Sequence, residues 1–459
     1  MNRLRTVSEL AVLSTRASYP ARSAARPVIS HGRGCYLFDT SGRDYLDAGG
    51  GSGSMIFGHG DAELAELLAA QARNLSVFPS RYMTVEAVEE YAAKLVAFGP
   101  PGVCRSIFYS SGSDAVEAGI KLALQYHALR GEGCRHKIIG REASYHGNTL
   151  AGLAAGGFIR RRKPFESALA ATAKAAATQS GSCSCGDERS RCELECAQTV
   201  ERAILAEGPE SVAAVILEPV VGAARSAAVP PPGYLSAVRD ICQRYGVLLI
   251  ADEVMTGFGR TGRHFAVEHW SVRADVLVLG KAISAGYYPL SGLLIDAEVA
   301  EVFESRNVPF QNAQTHTCSP VGCRIGQHVV DRICRERLEQ RADRIGDEIR
   351  SEIRRKVRSP WLGEVRGLGL MIGVELGTRS KRAPPGLSEQ LQRIAMDQGL
   401  LIYASSGSER SEAGEHFLLL PPLTIDASDV GVLLERLTDS FARLDDFVAE
   451  RLADEGILT

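Results

Sequence analysis

Apolar and polar residues follow two alternating patterns through the middle of the chain, from about Ser106 to Asp296. Short continuous apolar runs such as AAVIL and VLLIA alternate with segments whose apolar residues recur at helical spacing. The segment AVEAGIKLALQYHAL after Ser113 is typical of such a helix. Because continuous apolar runs are typical of strands covered on both faces, this region predicts an α/β fold with a mostly parallel sheet.

The pattern changes on either side of this region. From Tyr36 to Asp47, the segment YLFDTSGRDYLD has two apolar runs around a polar turn, which predicts a β-hairpin. The Ala-rich residues 168–180 are expected to be helical. After about residue 325 the sequence predicts a charged helical region at 325–357, a strand at 365–376, a helix and strand at 389–403, a strand at 416–425 and a final helix from Ala427 to Leu452.

These changes divide the chain into three predicted parts. Residues 1–60 form an N-terminal arm and hairpin that belong to the smaller lobe. Residues 61–325 form the large domain, in which residues 181–197 are an inserted, cysteine-bearing loop. Residues 326–459 form the smaller α+β domain. The predicted fold class is α/β, with a mostly parallel sheet in the large domain.

Composition narrows the class of protein. The chain has 459 residues, of which 45% are hydrophobic and 23% charged, and its net charge is −3. These values are typical of a soluble protein, and the charge gives no reason to expect a nucleic acid or a membrane as partner. No run of about 18 apolar residues predicts a membrane span. We therefore expect a cytoplasmic enzyme, and we interpret the arginine-bearing residues 1–26 as a basic arm rather than a transit peptide.

Eleven cysteines bear on the compartment and on metal binding. Seven are scattered among apolar or loop residues, which is typical of free thiols in a reducing compartment. The other four are Cys183, Cys185, Cys192 and Cys196. Such a cluster could bind zinc or form disulfides, but its spacing matches no standard zinc motif. We predict no metal site.

Charged residues directly follow three of the apolar runs. AAVIL is followed by Glu218, VLLIA by Asp252, and DVLVLG by Lys281. Since ligands bind beyond the carboxyl ends of strands in open α/β sheets, these groups predict one site with complementary charges. A desolvated lysine can attack a carbonyl group and form a Schiff base. The alternative is a lysine whose charged end simply reaches solvent from the end of the strand.

A fourth segment, SIFYSSGSDAVEAGIK, runs from a predicted strand directly into a helix through Ser111, Gly112 and Ser113. The free N–H groups and the dipole at a helix start attract phosphate, and serine hydroxyls add donors. The alternative is an ordinary helix cap by Ser113. Beside a lysine and an acid at strand ends, the phosphate interpretation is favoured. A phosphate site, a carboxylate and a nucleophilic amine are what pyridoxal phosphate requires.

Two long segments, LLIADEVMTGFGRTG at 248–262 and VLGKAISAGYYPLSG at 278–292, point to a known family. Shorter segments follow that family's order: YLFDTSGRDYLDAGGG, GHG, SSGSDAVEAGIK, SYHGNT, EPVVG and THTCSP. Through them the chain resembles the class III aminotransferases, over about residues 27–445. The resemblance implies fold type I, in which the large domain has a mostly parallel seven-stranded sheet and a smaller α+β domain follows.

The resemblance also implies roles for single residues. Lys281 would hold the cofactor aldehyde and carry the proton, Asp252 would partner the pyridine nitrogen, and Glu218 would lie near the substrate side of the ring. The other residues implied to bind the cofactor are Ser111, Gly112 and Ser113 at the phosphate, Tyr145 with His146 and Val254 at the ring faces, and Thr317, which would reach the phosphate of the neighbouring subunit. The active unit would therefore be a homodimer.

One departure from the family pattern concerns substrate binding. Many members that use α-amino acids have an arginine just before the paired prolines, where it binds a carboxylate bidentately. Here that stretch is EHFLLLPPLTI, with His416 and no arginine. Arg225 and Arg410 are alternatives, although neither lies in a matching motif. This departure favours transfer involving an ω-amine, an aldehyde or a ketone over strict use of α-amino acids.

The predicted function is amino transfer that depends on pyridoxal 5′-phosphate. An amine or amino acid donor would pass its amino group to an aldehyde or keto acceptor by a ping-pong mechanism through the lysine. The alternative is a relative with the same site that acts as an aminomutase, an amino-acid epimerase or a decarboxylase, because the same residues serve all these reactions.

Overall fold

The computed structural model describes residues 27–177, 194–377, 383–406 and 414–454. Its strands are β1 (Ile29–Arg33), β2 (Tyr36–Asp39), β3 (Asp44–Asp47), β4 (Val103–Tyr109), β5 (Lys137–Arg141), β6 (Lys174–Ala175), β7 (Val212–Leu217), β8 (Leu248–Asp252), β9 (Val276–Leu279), β10 (Ser291–Asp296), β11 (Leu362–Leu368), β12 (Met371–Leu376), β13 (Leu400–Leu401), β14 (Tyr403–Ser406) and β15 (Glu415–Leu419). Its α-helices beyond residue 60 are α1 (Ala62–Asn74), α2 (Glu86–Phe98), α3 (Gly112–Leu129), α4 (Leu150–Ala155), α5 (Ile159–Arg162), α6 (Glu195–Glu207), α7 (Tyr234–Tyr245), α8 (Ala297–Glu304), α9 (Pro320–Glu336), α10 (Leu338–Lys356), α11 (Leu387–Asp397) and α12 (Ala427–Asp454).

The large sheet has seven strands in the order β4-β10-β9-β8-β7-β5-β6. Strand β10 runs antiparallel to β4 and β9, whereas β9, β8, β7, β5 and β6 pair in parallel. Alternate residues of the central strands enter two separate cores: Val215 and Leu217 pack in one, and Ala214 and Ile216 in the other. Both faces of the sheet are therefore buried, and the predicted α/β architecture with a mostly parallel sheet is confirmed.

The N-terminal hairpin is confirmed and extended. Strands β2 and β3 pair antiparallel as predicted, and β1 adds a further antiparallel strand that the sequence did not indicate. On its other side β3 pairs in parallel with β13, where Leu46 lies opposite Leu400. The hairpin is thus joined by hydrogen bonds to the C-terminal part of the chain.

The C-terminal lobe contains an antiparallel sheet in the order β11-β12-β15-β14. One prediction was wrong here in detail. The single strand expected at 365–376 is part of a two-stranded hairpin that turns at Gly369, whose φ is +53°. The helical region at 325–357 is two helices, α9 and α10, because Arg337 between them has a left-handed backbone with φ 49°. The final helix is confirmed as α12.

The helix expected at 168–180 was wrong over its described part. Residues 163–168 form a short 3-10 helix, and Lys174–Ala175 form β6 at the edge of the large sheet. Pairing with Gly140 and Arg141 of β5 satisfies the backbone of β6, so tertiary pairing overrides the helical preference of alanine.

Some predictions fall partly or wholly outside the described residues. These are the basic arm at 1–26 and Cys183, Cys185 and Cys192 of the cysteine cluster; Cys196 is buried in α6. The domain boundary predicted at 325 lies within α9, and the division into domains stays a prediction. Among the helices that the structure describes, none is both long and apolar enough to cross a membrane.

Candidate active site

Three predicted site residues lie at one edge of the large sheet. Strands β7, β8 and β9 are parallel neighbours, so their carboxyl ends meet, and Glu218, Asp252 and Lys281 follow or end them. Since each strand buries all of its residues, the apolar runs fix where each charged residue emerges. The sequence-based expectation of a shared site at these strand ends therefore matches the topology.

Lys281 has an unusual backbone and a perturbed amine. It follows Gly280 after β9, its φ is 46°, and its side chain is half-buried. Few non-glycine residues adopt this left-handed conformation, and those that do often lie at functional sites. Burial lowers the pKa of Lys281, and the negative charges of Asp252 and Glu218 partly oppose that fall. The amine is thereby more readily neutral than an exposed lysine, as a nucleophile must be.

Asp252 is oriented by His146. The two residues are 4% and 1% exposed, and Asp252 Oδ2 lies 2.8 Å from His146 Nδ1. The backbone N–H of Val254 donates to the other carboxylate oxygen at 3.1 Å. The carboxylate thus keeps a fixed direction in a dry environment. No hydrogen-bond partner of His146 Nε2 lies among the described residues.

Glu218, which follows β7, binds the loop that carries Tyr145. It is 6% exposed, and its carboxylate accepts the backbone N–H groups of Tyr145 at 2.9 Å and Gly222 at 2.8 Å. Burial raises the pKa of Glu218, and the charge of Asp252 adds to the rise while His146 opposes it. Glu218 therefore positions the Tyr145 backbone as well as adding negative charge near Lys281.

The start of α3 lies against the same group. Ser111, not Ser113, is its N-cap, because Ser111 Oγ accepts the backbone N–H of Asp114 at 3.2 Å. Ser113 Oγ instead accepts the backbone N–H of Asn148 at 3.2 Å, which joins α3 to the Tyr145 loop. Gly112 approaches Val254 so closely that a Cβ there would lie 2.9 Å from Val254 Cγ1.

Thr317 is held in its own turn before α9. It is 9% exposed, and its Oγ1 accepts the backbone N–H of Gln314 at 2.8 Å. The Gln314 side chain donates to Ser110 Oγ at 3.2 Å and lies 3.3 Å from Asp114 Oδ2. The Thr317 turn therefore packs beside the start of α3 in the same chain, and its expected contact with a neighbouring subunit stays a prediction.

The residue in place of the family's carboxylate-binding arginine is not available to a substrate. His416 is 1% exposed, with Nε2 3.1 Å from the Ala223 carbonyl and Nδ1 3.0 Å from the Gly414 carbonyl. Burial lowers its pKa. Of the two arginines suggested by the sequence, Arg225 is 5% exposed, and Arg410 lies outside the described residues.

Sequence reasoning missed two residues beside Tyr145, which are Arg161 and Tyr403. The Arg161 guanidinium of α5 lies 4.9 Å from the centroid of the Tyr145 ring. Tyr403 of β14 is half-buried, and its pKa is raised by burial and lowered by nearby Arg161. A run of three arginines at 160–162, directly after an apolar segment, was the available signal for Arg161. No local pattern singles out Tyr403.

These residues fit pyridoxal phosphate on three counts. The Lys281 amine suits an aldehyde, and buried Asp252 suits a protonated pyridine nitrogen. The start of α3 presents backbone N–H groups, and the absence of a Cβ at Gly112 keeps the approach to Val254 open. The fold and the site together define an α/β enzyme that uses pyridoxal phosphate.

Comparison with known proteins gives the family. A family model described as Aminotransferase class-III matches residues 19–441, and the chain belongs to that family. It is 30% identical over 432 residues to the uncharacterized aminotransferase YodT of Bacillus subtilis, which covers 93% of this chain and 97% of the relative. It is also 30% identical to the adenosylmethionine-8-amino-7-oxononanoate aminotransferase of Geobacter sulfurreducens, over 90% of this chain and 91% of the relative.

Solved structures agree with this assignment. A thermostable (S)-enantioselective omega-transaminase from Thermomicrobium roseum is similar with a TM-score of 0.87 and 30% identity, covering 96% of this chain and 100% of that chain. The omega transaminase of Pseudomonas jessenii in complex with PMP has a TM-score of 0.88 and 26% identity, covering 96% and 99%. The chain is thus a pyridoxal-phosphate-dependent transaminase of fold type I, and the comparisons give no support to the aminomutase, epimerase or decarboxylase alternative.

Proposed function

We propose that this transaminase works as a homodimer in which Lys281 carries the proton, Asp252 and Glu218 set the charge around it, and the start of α3 binds the cofactor phosphate. The amino group of an amine or amino acid donor passes to an aldehyde or keto acceptor in two half-reactions. The single observation that carries the proposal is the convergence of Lys281, Asp252 and Glu218 at the carboxyl ends of three adjacent parallel strands.

The cofactor, when bound, supplies an electron sink for the carbanion that forms at the substrate Cα. Lys281 Nζ removes the proton from that carbon and returns one, which requires an amine that is neutral in part of the cycle. Its lowered pKa supports this role, with burial as the main cause. Asp252, fixed by His146, provides the buried negative charge that keeps a pyridine nitrogen protonated.

The remaining predicted residues hold and orient the cofactor. Ser111, Gly112 and Ser113 would present N–H and hydroxyl groups to its phosphate, where the positive end of the α3 dipole favours negative charge. Tyr145 and Val254 would flank the ring. Support for these roles is that Ser113 bonds to the loop carrying Tyr145 and that Gly112 touches Val254.

The homodimer is supported by the surface of the segment between α1 and α2. Tyr82, Met83 and Val77 are 79%, 64% and 46% exposed, and exposed apolar patches of this kind are typical of interaction sites. In the dimer, Thr317 would reach the phosphate of the neighbouring subunit.

We also infer a reducing compartment, the cytoplasm, because the eight cysteines whose state the structure describes are free thiols.

The proposal is tested by labelling the cofactor lysine. Purified holoenzyme is reduced with borohydride and digested, and mass spectrometry should find the cofactor on Lys281. Lys281→Ala should lose the label and lower turnover of every amine donor by at least about a thousandfold, since proton transfer by a positioned group is worth roughly that much. Lys94→Ala, which removes a surface lysine paired with Asp331, is the matched control and should keep label and turnover. A label on another residue, or full activity without Lys281, would refute the proposal.

A further inference from the structure

Arg161 lines the site beside Tyr145, although its side chain is exposed. It belongs to the short helix α5, and its guanidinium lies 4.9 Å from the Tyr145 ring centroid and 5.4 Å from that of Phe158. The Tyr145 backbone is in turn bound to Glu218 at 2.9 Å. A cation over two aromatic faces has a defined plane and position, which a freely mobile surface arginine lacks.

Arg161 also contacts the C-terminal lobe, because its side chain hydrogen-bonds to that of Tyr403. The pKa of Lys281 is lowered mainly by burial, and the Arg161 charge lowers it further. Burial raises the pKa of Tyr403, and the Arg161 charge opposes that rise. Arg161 therefore lies between the Tyr145 ring and Tyr403 of β14. Its positive charge, like that of buried Arg260, acts on Lys281 against the negative charges of Asp252 and Glu218.

Three other arginines, Arg141, Arg260 and Arg366, are bonded to protein groups. Arg141 donates to the Glu218 carbonyl at 2.5 Å, Arg260 donates to the Leu370 and Pro421 carbonyls at 3.1 and 2.6 Å, and Arg366 pairs with Glu364 and Glu375 at 2.7 and 2.6 Å. The side chain of Arg161 hydrogen-bonds to Tyr403 but, unlike these three buried residues, it is exposed. Within the parts of the chain that the structure describes, no carboxylate forms an ion pair with it.

We propose that Arg161 binds the carboxylate of the substrate and so takes over the task of the arginine that is missing before the paired prolines. The favoured substrates are amine donors and keto acceptors that carry a carboxylate at a distance from the reacting carbon. A planar guanidinium offers two parallel N–H groups that match a carboxylate, and stacking on Tyr145 orients that plane beforehand. This inference rests on the proposed transaminase function and refines the preference for an ω-amine, an aldehyde or a ketone over strict use of α-amino acids that the sequence suggested.

The kinetic test compares donors that differ only in the carboxylate. β-Alanine, γ-aminobutyrate and δ-aminovalerate are paired with propylamine, butylamine and pentylamine, and the pair with the highest wild-type kcat/KM is used. Arg161→Gln should raise KM for the amino acid roughly tenfold to a hundredfold, since a hydrogen bond to a charged group is worth about 1.5–3 kcal/mol. KM for the alkylamine should stay within about twofold, because it makes no such bond. Arg161→Lys should restore part of the loss.

The matched control is the neighbouring arginine. Arg160 is 59% exposed and pairs with Glu389 at 3.4 Å, so Arg160→Gln removes the same charge one residue away and should leave both donors unchanged. Equal losses for amino acid and alkylamine in Arg161→Gln would mean that Arg161 only supports Tyr145, and they would overturn the proposal. Unchanged kinetics for both donors would overturn it as well.

A binding experiment separates this inference from the proposed function. Butyrate, which has no amine and cannot react, is titrated into holoenzyme by calorimetry. Wild type and Arg160→Gln should bind it, and Arg161→Gln should bind it roughly tenfold or more weakly. If no amine is converted by wild type, the proposed function fails, whereas the butyrate titration still decides the role of Arg161. Equal butyrate affinity in all three proteins would refute that role.

Discussion

Buried charged groups around the site are satisfied mainly by neutral donors and acceptors. Glu218 accepts two backbone N–H groups, and Arg260 donates to two backbone carbonyls. Glu253, which is 0% exposed, accepts the hydroxyl of Thr256 and the backbone N–H of Val267. Burial shifts the pKa of all three groups toward the neutral form, and at Glu218 the charge of His146 opposes that shift.

Glu253 should make stability depend on pH. Burial raises its pKa from 4.5 to about 7. Between these values the unfolded chain releases the proton that the folded chain keeps, so stability falls as pH rises through this window, by up to about 3 kcal/mol in total. Glu253→Gln keeps an oxygen for the Val267 N–H but cannot ionise. Its thermal unfolding midpoint should fall less than that of wild type between about pH 5 and pH 7.5.

The control for this experiment is Glu298→Gln. Glu298 is 76% exposed in its pair with Arg273, so the same substitution there should keep the wild-type dependence on pH. Parallel curves for wild type and Glu253→Gln would show that Glu253 does not titrate in this window.

At the scale of elements, the site depends on how the Tyr145 loop rests on the start of α3. Gly147 has a φ of +96°, and a Cβ there would lie 2.6 Å from Ser113 Oγ. Ser113 Oγ also accepts the Asn148 N–H of this loop. A side chain at Gly147 must therefore displace the very segment that is proposed to hold the phosphate.

We expect Gly147→Ala to weaken cofactor binding more than it weakens the fold. Gly131→Ala is the matched control, because Gly131 also has a positive φ, +82°, but nothing lies within 4 Å of its Cβ position. Both variants should lose about 1–2 kcal/mol of stability from the left-handed backbone. Titration of apoprotein with pyridoxal phosphate should show about a tenfold or larger loss of affinity for Gly147→Ala alone. Equal affinities in the two variants would contradict this account.

Elements whose backbone groups are satisfied locally were the easier ones to predict. Helix α3 carries its own cap at Ser111 and its own apolar stripe, and its sequence indicated it correctly. Strand β6 has only two residues and exists because β5 offers a free edge, so its alanine-rich sequence indicated a helix instead. The turn at Gly369 was missed because it depends on contact with Gly262, which lies far away in sequence.

At the scale of the whole molecule, Arg260 joins the large sheet's side of the site to the C-terminal lobe. It is 0% exposed and reaches the carbonyls of Leu370 and Pro421. Burial lowers its pKa to about 9. Arg260 therefore bonds its segment of the large domain to the C-terminal lobe.

Replacing Arg260 should weaken this contact with the C-terminal lobe and lower the free energy of unfolding. Arg260→Met leaves two buried carbonyls without donors, and we expect a loss of about 2–6 kcal/mol at roughly 1–3 kcal/mol for each unsatisfied group. Urea unfolding followed by fluorescence of Trp270 and Trp361 measures the loss. Arg263→Met, at an exposed position in the same segment, should change the midpoint little. An unchanged midpoint for Arg260→Met would show that the carbonyls find other donors.

The sequence by itself determined the α/β class and the positions of Glu218, Asp252 and Lys281. It could do so because a buried strand is a continuous apolar run, and the first polar residue after it must emerge at the sheet edge. The start of α3 was equally accessible, since a helix begins where its cap and its spacing begin.

Only the tertiary structure decided which side chains complete the site. His416 was the residue in the expected substrate-binding stretch, yet it faces the carbonyls of Ala223 and Gly414. Arg161 and Tyr403 lie far apart in sequence and meet beside Tyr145. Their contact depends on how the two lobes pack. Packing between distant segments produces no hydrophobic periodicity in either segment, so the sequence does not predict it.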